Sequence, residues 1–278
     1  MFSSSRRRLV SAVVPVLVAL LVSAGPAGAS VAWPPTGPSN HGWTLNGSAA
    51  WTGGAIGLTS AGGVSQAGSA FYGTPQMSAG FHIQFFLNMG ATGGADGITF
   101  VMADADQTPP TTLGAANGGL GFTNTPGLVD GVQGGIGVAF VTHQDQGDPS
   151  NNFVGVLTGG SGSQKDWLDT SEVPFPLYGL HLVDVTYDHG ELTVGLDGAN
   201  VLVLTVTLPS SVRVGFTSSN NASSTGDHQV TICNCTSEDQ LSAGGALGLL
   251  TMGALGAGIF AVGMWSARRR HRRSITLA

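Results

Sequence analysis

Short apolar runs, separated by glycine-rich and polar segments, dominate the middle of the chain. They are rich in Val, Ile, Phe and Thr, and none of them keeps the 3.6-residue period of an amphipathic helix. Runs of this kind, bounded by Gly, Asn, Asp and Pro, are typical of β-strands. We therefore predict strands at 55–59, 68–72, 80–87, 97–103, 118–122, 135–142, 153–158, 180–187, 191–196, 200–208, 212–218 and 228–233.

The strand pattern predicts one all-β domain with the architecture of a jelly-roll sandwich, because no helical segment interrupts it. "DGAN" (197–200) has the composition of a tight turn that joins two strands into an antiparallel hairpin. "GVAFV" (137–141) and "VLVLTV" (201–206) are apolar at nearly every position, which predicts strands covered on both faces. Three segments are predicted to be irregular connections: 105–117, 123–134 and 160–179.

Both ends of the chain have the composition of export and anchoring segments. Three arginines, an apolar stretch from Leu9 to Val22 and small residues up to Ala29 form a secretory signal. Residues 243–265 carry no charge and, at about 1.5 Å per residue, would span roughly 35 Å as a helix. "RRRHRR" (268–273) follows, which predicts a cytoplasmic C-terminus.

The predicted division of the chain follows from these segments. It is a signal peptide at 1–29, a linker at 30–39, the sandwich at 40–235, a tether at 236–242, a transmembrane helix at 243–265 and a basic cytoplasmic tail at 266–278. We expect a single-pass plasma-membrane protein whose sandwich lies outside the cell. The spacing of Gly244 and Gly248 would allow two such helices to pair weakly into a homodimer.

Charge restricts the partners of the exported segment. Between residues 30 and 242 the basic residues are Lys165 and Arg213, and the acidic residues number 16. The formal charge of this segment is therefore −14. A surface of this sign repels phosphate polyanions, so nucleic acid is excluded as a natural partner.

A series of segments in this order resembles the L-type, legume-lectin-like domain. They are "WTLNGSA" (43–49), "LTS" (58–60), "GSAFY" (68–72), "FHIQFFL" (81–87), "ADGITFVMAD" (95–104), "LGAANGGLGF" (113–122), "GVAFVTHQD" (137–145), "VDVTYDHGELTVGLDG" (183–198) and "VRVGFTSS" (212–219). The resemblance covers about residues 40–232. It implies a concanavalin-like sandwich with a shallow sugar site formed by loops above one sheet.

The resemblance also implies particular site residues. Asp96 matches the family's sugar-binding aspartate, which follows a cis peptide bond, here after Ala95. Gly119 matches the glycine whose N–H approaches the sugar. A sugar needs a fixed carboxylate, N–H donors and a ring to stack on, and both residues suit the first two roles. Taken singly, "ADG" and "NGG" are ordinary turn sequences.

The polar loop "VTHQDQGDPSNN" (141–152) is a candidate cation site, binding rim or simple turn. In the family this region binds a transition metal and calcium. The family's Glu, Asp, aromatic, Asn, Asp and His positions fall here on Ala139, Val141, His143, Asp145, Asp148 and Phe153. Most ligands of the transition metal are therefore replaced by apolar residues, and that metal is not expected.

Calcium would retain only Asp145 and Asp148 as side-chain ligands, so we expect weak calcium binding at most and no other cofactor. Apolar replacement avoids buried charges without a cation. The loop is thus predicted to be a metal-free rim, with Asp145 beside the sugar. His143 either stacks on the sugar or is solvated.

Three functions follow from these residues. The first is a cell-surface carbohydrate-recognition module whose ligand is a glycan or glycosylated surface. The second is a structural or protein-adhesion domain that kept the lectin fold and lost sugar binding. The third, an enzyme, is disfavoured: glycoside hydrolysis needs two carboxylates about 5–10 Å apart across one cleft, and the few glutamates lie near no other acid at strand spacing.

Overall fold

A computed structural model of the chain describes residues 42–90, 94–223 and 226–233, which form strands and turns. In chain order the strands are β1 Trp43–Gly47, β2 Ala50–Thr52, β3 Ala55–Thr59, β4 Ala67–Tyr72, β5 Gln76–Met77, β6 Gly80–Asn88, β7 Gly97–Asp104, β8 Ile136–Val141, β9 Phe153–Ser161, β10 Gln164–Glu172, β11 Leu180–Asp188, β12 Glu191–Leu196, β13 Ala199–Thr205, β14 Ser211–Ser219 and β15 His228–Cys233.

The strands form two antiparallel sheets, which confirms the predicted all-β sandwich. The eight-stranded sheet has the order β1-β4-β14-β7-β8-β9-β10, with β5 also paired to β14. The seven-stranded sheet has the order β13-β12-β11-β6-β15-β3-β2. Strands distant in sequence are neighbours in both sheets, as β14 is of β4 and β7. Loops from distant parts of the chain therefore meet at one end of the eight-stranded sheet, near Asp96 and Asn220.

Apolar side chains cover both faces of the central strands of the eight-stranded sheet. On β8, Val138 and Phe140 face the core between the sheets, whereas Ala139 and Val141 belong to a second cluster on the outer face. Phe122, from the long segment between β7 and β8, packs on that outer cluster. Residues 137–141 are thus covered on both faces, as predicted.

Three predictions about individual segments are wrong. Residues 118–122 form successive turns, because positive φ at Gly118, Leu120 and Gly121 is incompatible with a strand. Part of the predicted connection 160–179 is β10, an edge strand that pairs with β9 through its main chain. The segment 201–206 has one solvent-facing side, because β13 is the edge of its sheet and Val203 is half exposed.

The hairpin between β12 and β13 is confirmed. Leu196 pairs with Ala199, which leaves a two-residue turn at Asp197 and Gly198. Both residues have positive φ, 52° and 83°, as a type I′ turn requires.

The predicted signal peptide (1–29), linker (30–39), tether (236–242), transmembrane helix (243–265) and tail (266–278) lie outside the described residues. Among the residues that are described, no helix has the length and apolarity needed to cross a bilayer.

Candidate functional site

Asp96 immediately precedes β7, at the end of the sheet where the loops meet. The Ala95–Asp96 peptide bond is cis, as the family resemblance implies. The Asp96 N–H donates to the carbonyl of Ser219 at 2.7 Å, and its carbonyl accepts from the N–H of Thr142 at 3.0 Å. The residue is fully buried. Its backbone is therefore fixed to β14 on one side and to the loop after β8 on the other.

Three donors hold the Asp96 carboxylate. Oδ2 accepts from the Gly118 N–H at 2.5 Å and from the Ser219 hydroxyl at 2.7 Å. Oδ1 accepts from the side-chain amide of Asn221 at 3.2 Å, and Asn221 is only half-buried. Each carboxylate oxygen accepts about two hydrogen bonds, so Oδ1 can take one more. This oxygen faces the Asn221 loop, which makes it the candidate acceptor for a ligand hydroxyl.

The N–H of Gly118 donates to Asp96, whereas the predicted role of the Gly119 N–H is a contact with the sugar. Gly118 has a φ of +92°, and a Cβ there would lie 2.3 Å from Asp145 Oδ2. The N–H of Gly119 instead donates within its own loop, to the carbonyl of Ala116 at 3.3 Å, and a Cβ would collide with the loop backbone. A sugar contact by Gly119 stays a prediction, whereas Gly118 is where the backbone approaches the carboxylates most closely.

Asp145 lies on the other side of Gly118 from Asp96, so two predicted site residues are brought together. Burial raises the pKa of the Asp145 carboxyl; Lys165 opposes this rise, whereas the charges of Asp96 and Asp148 add to it. Asp96, Gly118, Asp145 and the Asn221 loop are therefore neighbours, and this group of residues is called the recess below. His143 lies on the same loop as Asp145, two residues earlier, and is half-buried.

Asp148 contacts a buried cation from the protein itself. Lys165 Nζ lies 3.0 Å from Asp148 Oδ2 and 3.5 Å from Asp145 Oδ2. The side chains of Lys165 and Asp148 have no exposed surface, and that of Asp145 is 18% exposed. Trp167 Nε1 donates to the other Asp148 oxygen at 3.0 Å. Asp148, the one retained ligand position of the family's transition metal, is thus already paired.

The donor set does not fit the transition metal that the family implies. Ala139, Val141 and Phe153, which stand at three ligand positions, are fully buried in one apolar cluster, as predicted. The Trp167 ring packs edge-on against Phe153, with centroids 5.1 Å apart. In the described part of the chain, no three His, Cys, Asp or Glu side chains converge as a metal site would need.

His228 supports the turn that carries Asp96. Its Nδ1 lies 2.9 Å from the Thr59 hydroxyl and 2.8 Å from the Ser218 hydroxyl. Both hydroxyls donate to backbone carbonyls, of Gly226 and Gly97 respectively, at 2.7 Å. Each hydroxyl has one hydrogen, which it donates to a carbonyl, so Nδ1 must be the donor to both hydroxyl oxygens. Complete burial lowers the pKa of His228 to about 4.

Sequence reasoning missed five residues of this site: Gly118, Ser219, Asn221, Lys165 and Trp167. The signal for Lys165 was available, because it is one of two cations in a segment with 16 carboxylates. When a domain has so few basic side chains and so many carboxylates, each basic side chain is expected to pair with a carboxylate. The signal for Asn221 was absent, because its loop departs from the family pattern.

The fold and the recess define a class: a concanavalin-like β-sandwich with a fixed, buried carboxylate at a loop-built site. The legume lectin domain model matches residues 37–247. The chain belongs to the legume lectin domain family.

Solved structures support the same fold. Peanut lectin, in complex with a nine-residue peptide, is 26% identical, with a TM-score of 0.56 over 69% of this chain and 89% of that one. Lectin II from Ulex europaeus is 23% identical, with a TM-score of 0.58 over 70% and 92%. The exoplasmic/lumenal domain of VIP36, in its calcium- and mannose-bound form, is 19% identical, with a TM-score of 0.51 over 69% and 81%. No protein with curated annotation matches the sequence.

Proposed function

We propose that the domain is a non-catalytic carbohydrate-recognition module that binds a glycan in the recess around Asp96. The observation that carries this proposal is the Asp96 carboxylate, which is fixed by Gly118, Ser219 and Asn221 and has one acceptor position left on Oδ1. A sugar hydroxyl both donates and accepts hydrogen bonds. It would donate to Oδ1 and accept from the Asn221 amide, which is already beside that oxygen.

The remaining surfaces of the recess suit a sugar ring. Gly118 has no side chain, so the Asp145 carboxylate can lie close to its backbone and to Asp96. His143, on the rim, offers a planar face for the apolar side of the sugar. Gly119 supports the shape of this loop from beneath, and Asp145 adds a second carboxylate acceptor. Weak binding is expected, because the recess is shallow and the ligand must displace ordered water.

Membership of the family supports a carbohydrate as the class of ligand. The VIP36 domain was solved with mannose, and this ligand is a property of VIP36 that we do not assign to the present chain. The Asn221 loop differs from the family pattern in sequence, so the identity of the sugar is not transferred.

The site is better suited to binding than to catalysis. Asp96 and Asp145 flank Gly118, but all three donors on Asp96 come from the protein, and the residue is fully buried. A nucleophile or general acid must reach the glycosidic bond. With its carboxylate fixed by these donors, Asp96 can accept a hydrogen bond from a hydroxyl but is not free to act as a nucleophile or general acid.

We further propose that glycan binding is independent of metal, or depends only weakly on calcium. Asp145 and Asp148 are the residues that would hold calcium, and both already contact Lys165 Nζ. Calcium usually takes six to eight oxygen ligands. Two carboxylates shared with a lysine provide few of them.

A second function, protein adhesion by a domain that has lost its sugar site, is favoured by one observation. Asp96 has no exposed surface, and Asn221 bonds the oxygen that a sugar would use. If the Asn221 loop does not open, a sugar cannot reach the Asp96 carboxylate.

A glycan array probed with the full-length chain, purified in mild detergent with and without EDTA, separates the two functions. We expect a signal that EDTA does not reduce, and Asp96→Asn should lose it because the charge of the acceptor is gone. Asp188→Asn, at an exposed position remote from the recess, serves as the matched control. A signal unchanged in Asp96→Asn would rule out this site, and silence of the unaltered chain would favour adhesion.

We also propose that the sandwich is displayed outside the cell and anchored in the plasma membrane through residues 243–265. The uncharged stretch and the basic segment after it support this orientation. Protease treatment of intact cells should remove an epitope placed between residues 30 and 40 and spare one placed after residue 273. Protection of both epitopes would contradict the proposed orientation.

A further inference from the structure

We propose that Lys165 is the built-in cation of this domain, and that its ammonium group positions the recess loop in place of a bound metal ion. The loop comprises residues 142–150. Lys165 Nζ donates to Asp148 Oδ2 at 3.0 Å and to the carbonyl of Ser163 at 3.1 Å, and it lies 3.5 Å from Asp145 Oδ2. One amine thus joins β10 to both acidic residues of the loop.

Three donors from the protein hold the Asp148 carboxylate. Oδ2 accepts from Lys165 and from the Asp145 N–H at 3.1 Å, and Oδ1 accepts from Trp167 Nε1 at 3.0 Å. Full burial of both charged side chains makes the pair interdependent, because a buried carboxylate without its cation is strongly destabilising. A metal ion could reach Asp148 only by displacing the lysine.

The geometry of β10 explains how a strand residue reaches this position. Lys165 and Trp167 both contact the Asp148 carboxylate, so their side chains lie on the same face of β10. Register shifts occur on either side of Trp167. Such irregularities redirect side chains at sheet edges. Both side chains therefore converge on Asp148, and the Lys165 ammonium lies 5.9 Å from the Trp167 ring centroid.

Lys165 contacts the recess through the Asp145 carboxylate. Asp145 Oδ2 has no hydrogen-bond partner among the described residues and is held by the Lys165 charge. The same oxygen lies against Gly118, whose N–H bonds Asp96. Lys165 therefore acts as a positioning residue, with Asp145 and Gly118 between it and Asp96.

The first test compares the full-length chain with Lys165→Met and with Lys165→Met combined with Asp148→Asn. Lys165→Met keeps the packing of the chain of methylenes and leaves the Asp148 charge unpaired. We expect its melting temperature to fall by about 10 °C. The double variant removes the unpaired charge as well and should recover at least half of that loss. If the single variant does not fold, folding of the double variant decides in favour of the proposal.

Two outcomes of this test would overturn the proposal. Lys165→Met could melt at the temperature of the unaltered chain, so that the charge would be dispensable. The double variant could be no more stable than the single one, so that packing rather than charge would be responsible.

The second test asks whether the ammonium occupies a cation position. Lys165→Ala should bind terbium and give luminescence sensitised by Trp167, and adding Asp148→Asn should abolish the signal. The unaltered chain should give none, and millimolar calcium or EDTA should leave its melting temperature unchanged. The proposal that the Lys165 ammonium occupies a cation position would be refuted by either of two results. One is a calcium-dependent rise in the melting temperature of the unaltered chain, and the other is the absence of terbium luminescence from Lys165→Ala.

Only one readout rests on the proposed function. The folded double variant should lose at least tenfold in glycan affinity, because Asp145 is no longer held beside Gly118. Retention of full affinity would refute the positioning role. If the unaltered chain captured no glycan, the proposed function would fail, while the melting and terbium results would still decide whether Lys165 is the cation.

Discussion

At the scale of single residues, the domain contains two fully buried carboxylates that are satisfied in different ways. Neutral donors hold Asp96, and one acceptor position on Oδ1 remains for a ligand. Asp148 is paired with a buried ammonium and an indole N–H. A buried charge without partners is costly, so both arrangements are needed for stability. In the proposed function Asp96 is the carboxylate that meets the ligand, whereas Asp148 holds the recess loop to β10.

The close approach of Gly118 to Asp145 leads to a first prediction. In Gly118→Ala the new Cβ would lie 2.3 Å from Asp145 Oδ2, so Asp145 must move and the N–H bond to Asp96 weakens. We expect at least a tenfold loss of glycan affinity in a binding titration. Gly147→Ala is the matched control: its φ is also positive, at +89°, but no atom lies within 4 Å of the added Cβ. Equal losses in both variants would show that backbone strain alone, and not the contact with Asp145, is responsible.

His228 leads to a prediction of acid sensitivity. Its folded-state pKa of about 4 is below the ordinary value near 6.5, so the unfolded chain binds the extra proton first. Stability is therefore complete above about pH 6.5 and falls as the pH drops toward 4, by roughly 3 kcal/mol in total.

Denaturant unfolding at several pH values measures this loss. His228→Gln should flatten the pH dependence, whereas His189→Asn, at a histidine whose side chain is 91% exposed, should leave it unchanged. A pH dependence that persists in His228→Gln would assign the acid loss to other groups.

At the scale of the elements, the strands were predictable where burial imposes a pattern. β7, β8 and β14 are buried on both faces, because the core covers one side and the long loops the other. β10 was not predictable from hydrophobicity. As an edge strand it is largely exposed, and its "QKDWLDTSE" has no apolar alternation, since main-chain pairing with β9 holds it.

The packing of β9 against β10 gives a prediction at this scale. A Cβ on Gly155 would lie 2.7 Å from the Trp167 ring, so Gly155→Ala should displace the indole from Phe153 and Asp148. Overpacking of this kind costs about 1–3 kcal/mol. Thermal melting should show the loss, together with a red shift of tryptophan fluorescence. Gly159→Ala on the same strand meets its nearest atom at an ordinary 3.4 Å and should be nearly neutral.

The site itself was predictable only in part. Asp96, Asp145 and Asp148 were found because the family order of motifs marks them, and the structure brings Asp96 and Asp145 together around Gly118. The choice between Gly118 and Gly119 depends on turn geometry within "NGG", which composition does not specify. The pairing of Asp148 with Lys165 joins residues 17 apart across an unpredicted strand. Sequence spacing contains no information on that contact.

At the scale of the whole molecule, both cations of the sandwich are structural. Lys165 is buried against the recess loop, and Arg213 on β14 is 7% exposed. The Arg213 guanidinium donates to the carbonyls of Tyr72 at 3.1 Å and Thr108 at 3.2 Å, and also to that of Gly73. Over the described residues, the surface therefore presents carboxylates without lysine or arginine beside them. This is consistent with the predicted exclusion of nucleic acid.

Burial of the same two side chains should protect the folded sandwich from cleavage by trypsin. The enzyme cuts after lysine and arginine and must take that side chain into its own pocket, so within the described residues only Lys165–Asp166 and Arg213–Val214 qualify. Neither side chain is accessible until the sandwich opens. Limited digestion should therefore leave a large fragment with both bonds intact by mass spectrometry, and the same digestion in urea should cut both. Reagents that modify lysine side chains should likewise leave Lys165 unmodified in the native fold.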